Sequence, residues 1–137
     1  IEGKITLDHE NKYKKPLNSF EQDDFMGDWK TKTYGKASVF NLMTRENYNG
    51  ELLHLNIGPS KHLKFEYKTP LNKDLAAICF YTVNGGFNST INDKVFETVK
   101  NDLILINCVN SSYTHEFMLS NNTSEITNII LSIIYRN

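Results

Sequence analysis

What this chain of 137 residues lacks narrows the field first. It has two cysteines, Cys79 and Cys108, too few for a disulfide framework and without the Cys-x-x-Cys spacing of a zinc site. They can pair with each other, stay free or pair elsewhere; a bridge needs Cα atoms within about 7 Å, which sequence spacing does not decide. No apolar run approaches the roughly 18 residues of a membrane helix, so no membrane insertion is expected. A net charge of -1 with both signs interspersed leaves no basic footprint for nucleic acid. The nearest cluster, Lys12, Lys14 and Lys15, reads as a solvated lead-in. There is no nucleophile elbow, phosphate-cradling glycine loop or His-x-x-x-His pair, so an enzyme is the least supported class and no metal or cofactor is expected.

What is present is globular: 39% hydrophobic and 12% aromatic residues, enough in one domain to bury roughly two-thirds of the unfolded surface. The chain begins at Ile1 rather than methionine and carries Asn-x-Ser/Thr triplets at Asn88, Asn110, Asn121 and Asn122. Together these lead to the expectation of a secreted, extracellular glycoprotein.

Residues 1–24 are polar and lack sustained periodicity, and read as an extended leader whose Phe20, with Phe25, plugs one end of a domain spanning 25–137. From residue 28 the apolar period becomes two. Trp29, Thr31 and Thr33 alternate with lysines, then residues 37–49 read as a long loop with apolar knobs Val39, Phe40, Leu42, Met43 and Tyr48. Asn49-Gly50 is a turn signal. Leu53, Leu55 and Ile57 alternate with His54 and Asn56, and Leu63, Phe65 and Tyr67 with lysines and Glu66. Dense strands follow at 75–83, 93–100, 102–109, 112–120 and 125–136. Eight short strands joined by polar turns suggest a sandwich or an up-and-down barrel, and hairpin connections favour an all-β, eight-stranded antiparallel barrel, which leaves no exposed edge.

At two places the residues resemble a lipocalin. Gly27-Asp28-Trp29, led in by Asn18-Ser19-Phe20, is similar to the family's Gly-x-Trp motif, and Arg136 is similar to the arginine that ends its last strand. The Thr-Asp-Tyr motif is degraded, its counterpart being Asn107–Tyr113, and the family's C-terminal helix is not in this sequence. The resemblance implies that Gly27, Trp29 and Arg136 are structural, with Arg136 packed over Trp29 to close the barrel by a cation–π contact. It also implies a carrier enclosing one small, mostly hydrophobic or amphipathic molecule. The interior candidates are Leu53, Leu55, Leu63, Phe65, Tyr67, Ile78, Phe80, Leu103, Leu105 and Phe117. His115 shares a strand face with Tyr113, Phe117 and Leu119, and is either a polar handle or haem ligand inside the barrel or a satisfied core or rim histidine, the last being the favoured reading. Glu97 either points inside, where a ligand cation offsets its charge, or lies in water with Phe96 inside. His54 and His62 read as surface residues. The alternative function is a protein-binding module with a filled barrel, gripping a partner through residues 37–49.

Overall fold

Eleven strands form in the computed structural model, which describes residues 1–70, 72–91, 94–108 and 114–137. The chain divides into two units, Ile1–Met43 and Thr44–Asn137.

In the first unit, β1 (Glu2–His9) lies between β2 (Tyr13–Leu17) and β3 (Thr31–Ser38), all antiparallel. β1 is written in period two: Ile5, Leu7 and His9 are buried, while Lys4, Thr6 and Asp8 face the other way. Leu17 stands opposite Ile5 and completes a small apolar cluster with Ile5 and Leu7. Gly35, also opposite Ile5, has a φ of 105°, and a Cβ there would sit 2.5 Å from the Lys4 carbonyl oxygen, so only glycine lets β1 and β3 approach. The expected leader therefore contains two strands, and the strand expected from residue 28 begins at Thr31 and pairs with β1.

The segment between β2 and β3 is tied down by the carboxylate of Asp23. It accepts hydrogen bonds from Lys15 Nζ (2.9 Å), His9 Nε2 (2.9 Å) and the Tyr13 hydroxyl (3.2 Å). His9, fully buried, meets the Thr31 hydroxyl through Nδ1 at 2.8 Å. The rings of Tyr13, Phe25 and Trp29 surround His9, and the Lys12 ammonium lies 5.2 Å over Trp29. The three lysines expected as a solvated lead-in are thus all engaged, Lys14 with Asp8.

The second unit contains β4 (Tyr48–Ile57), β5 (His62–Lys68), β6 (Asp74–Thr82), β7 (Asn88–Ile91), β8 (Lys94–Glu97), β9 (Leu103–Asn107), β10 (Thr114–Ser120) and β11 (Thr127–Arg136). The pairings are nested: β7 with β8, β6 with β9, β5 with β10 and β4 with β11. This is a long two-stranded ribbon folded over so that alternate pairs join two sheets, ordered β5-β10-β7-β8 and β4-β11-β6-β9. It is the strand order of a jelly roll. An up-and-down barrel needs each strand beside its sequence neighbour, and among the described residues of this unit only β7 and β8 meet that condition. Both sheets are open at their edges among the described residues, so the eight-stranded closed barrel expected from the sequence is corrected. β4 and β5, expected as a hairpin, belong to different sheets, each giving one apolar face to a shared core. Asn49-Gly50 lies within β4; the turn before it is at Arg45–Tyr48, where Asn47 has a φ of 70°.

The core draws Ile57, Ile78, Phe80, Phe87, Phe117, Leu119, Ile129, Leu131, Ile133 and Tyr135 from both sheets. At the end where β10 turns into β11, the fully buried Asn121 donates to the carbonyls of Ile57, Gly58 and Glu125 and accepts from Thr123 N–H and Oγ1. Its amide is thus consumed inside the fold, which removes the expected glycan acceptor there; Asn110 lies outside the described residues.

Two measurements test these anchors. Asn121→Ala removes the amide that joins three carbonyls, of which Gly58 and Glu125 keep bonds from Lys61 N–H and Thr123 Oγ1, and is expected to cost about 1–3 kcal/mol in urea unfolding; a loss below about 0.5 kcal/mol contradicts the anchor. Burial raises the Asp23 pKa, but the bonds from Lys15, His9 and Tyr13 outweigh it, so the net shift is below the ordinary 3.8. A depressed folded pKa means stability that is full above the carboxylate range and lost as pH falls through the folded value. Trp29, the one tryptophan, reports on this unit. Its fluorescence is expected to show an acid transition below about pH 4 that Asp23→Asn removes, alongside lower stability at neutral pH.

Candidate functional site

The two sheets of residues 44–137 face each other, and strand register decides which side chains meet between them. From one sheet come Leu63, Phe65 and Tyr67 of β5 beside Leu119, Phe117 and His115 of β10. From the other come Leu55, Leu53 and Glu51 of β4 beside Ile129, Leu131 and Ile133 of β11, with Ile78 and Phe80 of β6. The middle is filled. Phe80 stands edge-on to Phe117 at 5.1 Å and to Phe87 at 6.3 Å, and Phe65 stacks on Phe117 at 6.2 Å. Most of the expected ligand wall, namely Leu55, Leu63, Phe65, Ile78, Phe80 and Phe117, is therefore core.

At one end the filling turns polar. Tyr67 of β5 and Tyr135 of β11 reach across from opposite sheets, and their hydroxyls share a hydrogen bond. Lys73, just before β6, places its ammonium 4.1 Å over the Tyr135 ring and bonds Glu51 at 2.7 Å. His115 is the register partner of Tyr67, with its ring parallel to Phe117. Its Nε2 is buried and has no hydrogen-bond partner among the described residues. Burial, then the charge of Glu51, raises the Tyr67 pKa above the usual phenol value, so it stays a neutral donor. Two hydroxyls sharing one bond leave one O–H unspent. The end thus gathers a phenol proton, an imidazole nitrogen and an ammonium paired with Glu51, above an aromatic floor. Such a set suits an acceptor-rich, acidic group attached to an apolar body. Among the described residues, no three of His, Cys, Asp or Glu come together as a metal site.

The remaining expected residues fall elsewhere. Leu53 faces inward but lies on an edge strand, 41% exposed. Leu105 and Leu103 pair with Cys79 and Tyr81 on the outer face and are half-exposed, so neither lines the interior. Glu97 also points outward: its neighbour Phe96 pairs with the buried, inward Ser89, so no ligand cation is needed. Tyr113 lies outside the described residues. His54 and His62 are on the surface, bonded to Asn128 and Ser120. Cys79 and Cys108 are free and buried, one on the outer face and one in the core, and burial pushes both thiols up.

The motif residues are also reassigned. Arg136 donates to Asp74 at 3.0 Å, and the cation over Trp29 is that of Lys12. A Cβ on Gly27 would meet nothing within 4 Å, so no close packing demands glycine there. Sequence reasoning passed over Tyr135, Lys73 and Glu51. Tyr135 had a signal: it continues the alternation of Ile129, Leu131 and Ile133.

No family description matches this sequence, and no curated protein matches it. Solved structures do. A conserved protein of unknown function from Pseudomonas aeruginosa PAO1 superposes with a TM-score of 0.72 at 10% identity, over 98% of this chain and 66% of its own. A de novo designed double-stranded β-helix gives 0.49 at 6% identity, over 61% of this chain and 97% of its own. A cupin-2 domain from Rhodospirillum rubrum gives 0.47 at 16% identity, over 67% and 55%. The first likeness shows a shared fold, and with the nested strand order it replaces the lipocalin assignment by a jelly roll. Neither that assignment nor the secreted glycoprotein that went with it finds support in these structures.

An unpaired buried Nε2 is a destabilising group. His115→Phe is expected to raise stability by roughly 1 kcal/mol in urea unfolding; a clear loss would mean that the nitrogen is satisfied.

Proposed function

We propose that residues 44–137 bind one small molecule at this polar end, an apolar body with an acidic head, and hold it without transforming it. The observation that carries this reading is the buried, unpartnered Nε2 of His115 beside the Tyr67–Tyr135 pair. A fold that keeps this nitrogen unpaired among the described residues, on the strand beside Tyr67, retains a group that folding alone does not use. Apolar contacts supply most of the affinity, at roughly 25 cal/mol per Å² buried, and the polar head sets orientation. Because the aromatic core is filled, the ligand is held at the end of the sandwich and is not enclosed at its centre.

Native mass spectrometry and thermal shift, with a panel of carboxylic acids and their matched amides and amines, test the reading. Acids are expected to bind and to be recovered unchanged. His115→Phe and Lys73→Met are each expected to weaken binding by about tenfold or more, equivalent to 1.4 kcal/mol. If no acid binds better than its amine, or if the variants bind as well as the parent chain, the reading fails.

A second reading, a protein-binding module acting through residues 37–49, is favoured by the exposure of Val39 and Met43, the latter 87% exposed. On that reading the native mass carries no adduct, and Met43→Asp weakens capture of the partner.

A further inference from the structure

The second unit has four edge strands, β4, β5, β8 and β9, and three of them carry the charges that discourage edge-to-edge pairing. β4 has Glu51, β5 has Lys64, Glu66 and Lys68, and β8 has Lys94 and Glu97. β9 reads Leu103-Ile104-Leu105-Ile106-Asn107, with no charge, proline or glycine. Leu103 and Leu105 are 54% and 53% exposed, and Phe96 and Val99, in and after β8, are exposed as well. Leu103 and Leu105 share the outer face of this edge, each about half exposed on a strand with no charge to deter a partner.

We propose that the open edge of β9 pairs antiparallel with β9 of a second copy of this chain about a two-fold axis. Backbone alternation supports it. The Asp102 carbonyl accepts from Thr82 and the Cys108 N–H donates to the Ala76 carbonyl, so even-numbered residues here bond toward β6. Leu103, Leu105 and Asn107 therefore turn their N–H and C=O groups toward the open edge. The register centred on Leu105 uses all three: Leu105 pairs with Leu105 of the other copy, and Leu103 with its Asn107, each pair exchanging two hydrogen bonds. The faces agree as well. Leu105 meets its own copy on the outer face, and Ile104 meets Ile106 on the core side, whereas a one-residue slip would set outer against inner. A strand that is its own complement about its middle residue gives an isologous, closed contact, so the assembly stops at two. The result is one continuous sheet, β4-β11-β6-β9 joined to its symmetry mate.

Sedimentation velocity of the whole chain tests this. The expected mass is twice 15.8 kDa at micromolar to submillimolar concentration. Leu105→Lys is expected to raise the dissociation constant at least tenfold with unchanged far-UV circular dichroism. Leu105→Pro removes only the outward donor and is expected to do the same. Independently of any folding defect, Leu105→Cys is expected to give an oxidised dimer, since directly paired Cα atoms lie about 5.5 Å apart. Leu103→Cys is expected not to, because its copies lie about 13 Å apart along the strands. A monomer at all concentrations, a dimer indifferent to Leu105→Lys, or equal cross-linking at both positions overturns the proposal. So does a monomer that instead takes up an extended peptide along β9.

Discussion

β11 is the constraint on which residues 44–137 depend. It pairs with β4 along its whole length and with β6 from Ile129 to Arg136, so it is the one strand that joins the start of the ribbon to its middle. Ile129, Leu131, Ile133 and Tyr135 fill the space between the sheets, and Ile130 and Ser132 are buried on the other face. Each aliphatic side chain buried this completely contributes about 1.5–3 kcal/mol relative to exposure. A strand buried on both faces reads as a continuous apolar run, as Ile129–Tyr135 does. Asn121 fixes where it enters: its three donated bonds hold the turn from β10 against the end of β4.

Two histidines, His9 buried and His115 half-buried, show how differently the same side chain is treated in the two units. His9 has both ring nitrogens partnered, by Thr31 and Asp23, and Asp23 is in turn held by Lys15 and Tyr13. That network is complete, and its effect is to fix a long connection onto a three-stranded sheet. His115 has an aromatic neighbour and a phenol beside it, but its Nε2 has no partner among the described residues. Satisfied polar networks rigidify, whereas an unpaired buried group is a cost that the fold carries.

Alternation along the strands was legible, and with it the inward faces of Leu55, Leu63, Phe65, Tyr67, Phe80, His115 and Phe117. Strand order was not. Period two says which side of a sheet a residue occupies and nothing about which strand lies beside it, so a nested ribbon and an up-and-down barrel have the same pattern. Short polar connections read as hairpins in the sequence; several instead carry the chain from one sheet to the other. Gly27-Asp28-Trp29 with Arg136 formed a plausible pair only because so few residues define that motif, and both ends found other partners. β1 and β2 were missed because lysines and threonines on the outward face dilute a core of three aliphatic residues. The polar end is half visible: Tyr67 and His115 sit on marked faces, Glu51 continues the inward alternation of Leu53 and Leu55 but as a charge it carries no apolar signal, and Lys73 reaches the end from outside any strand.

The nesting of the ribbon also sets an order of events for a chain emerging from a ribosome. The innermost pair, β7 with β8, closes across a short connection and can form as soon as both have emerged. Each further pair closes a larger loop at greater entropic cost, and β4, the first strand of this unit to appear, has no partner until Thr127–Arg136 is made. For most of synthesis the growing chain therefore holds apolar strands without their neighbours. Such a topology folds slowly and late, and its exposure to misassociation is set by the last strand synthesised.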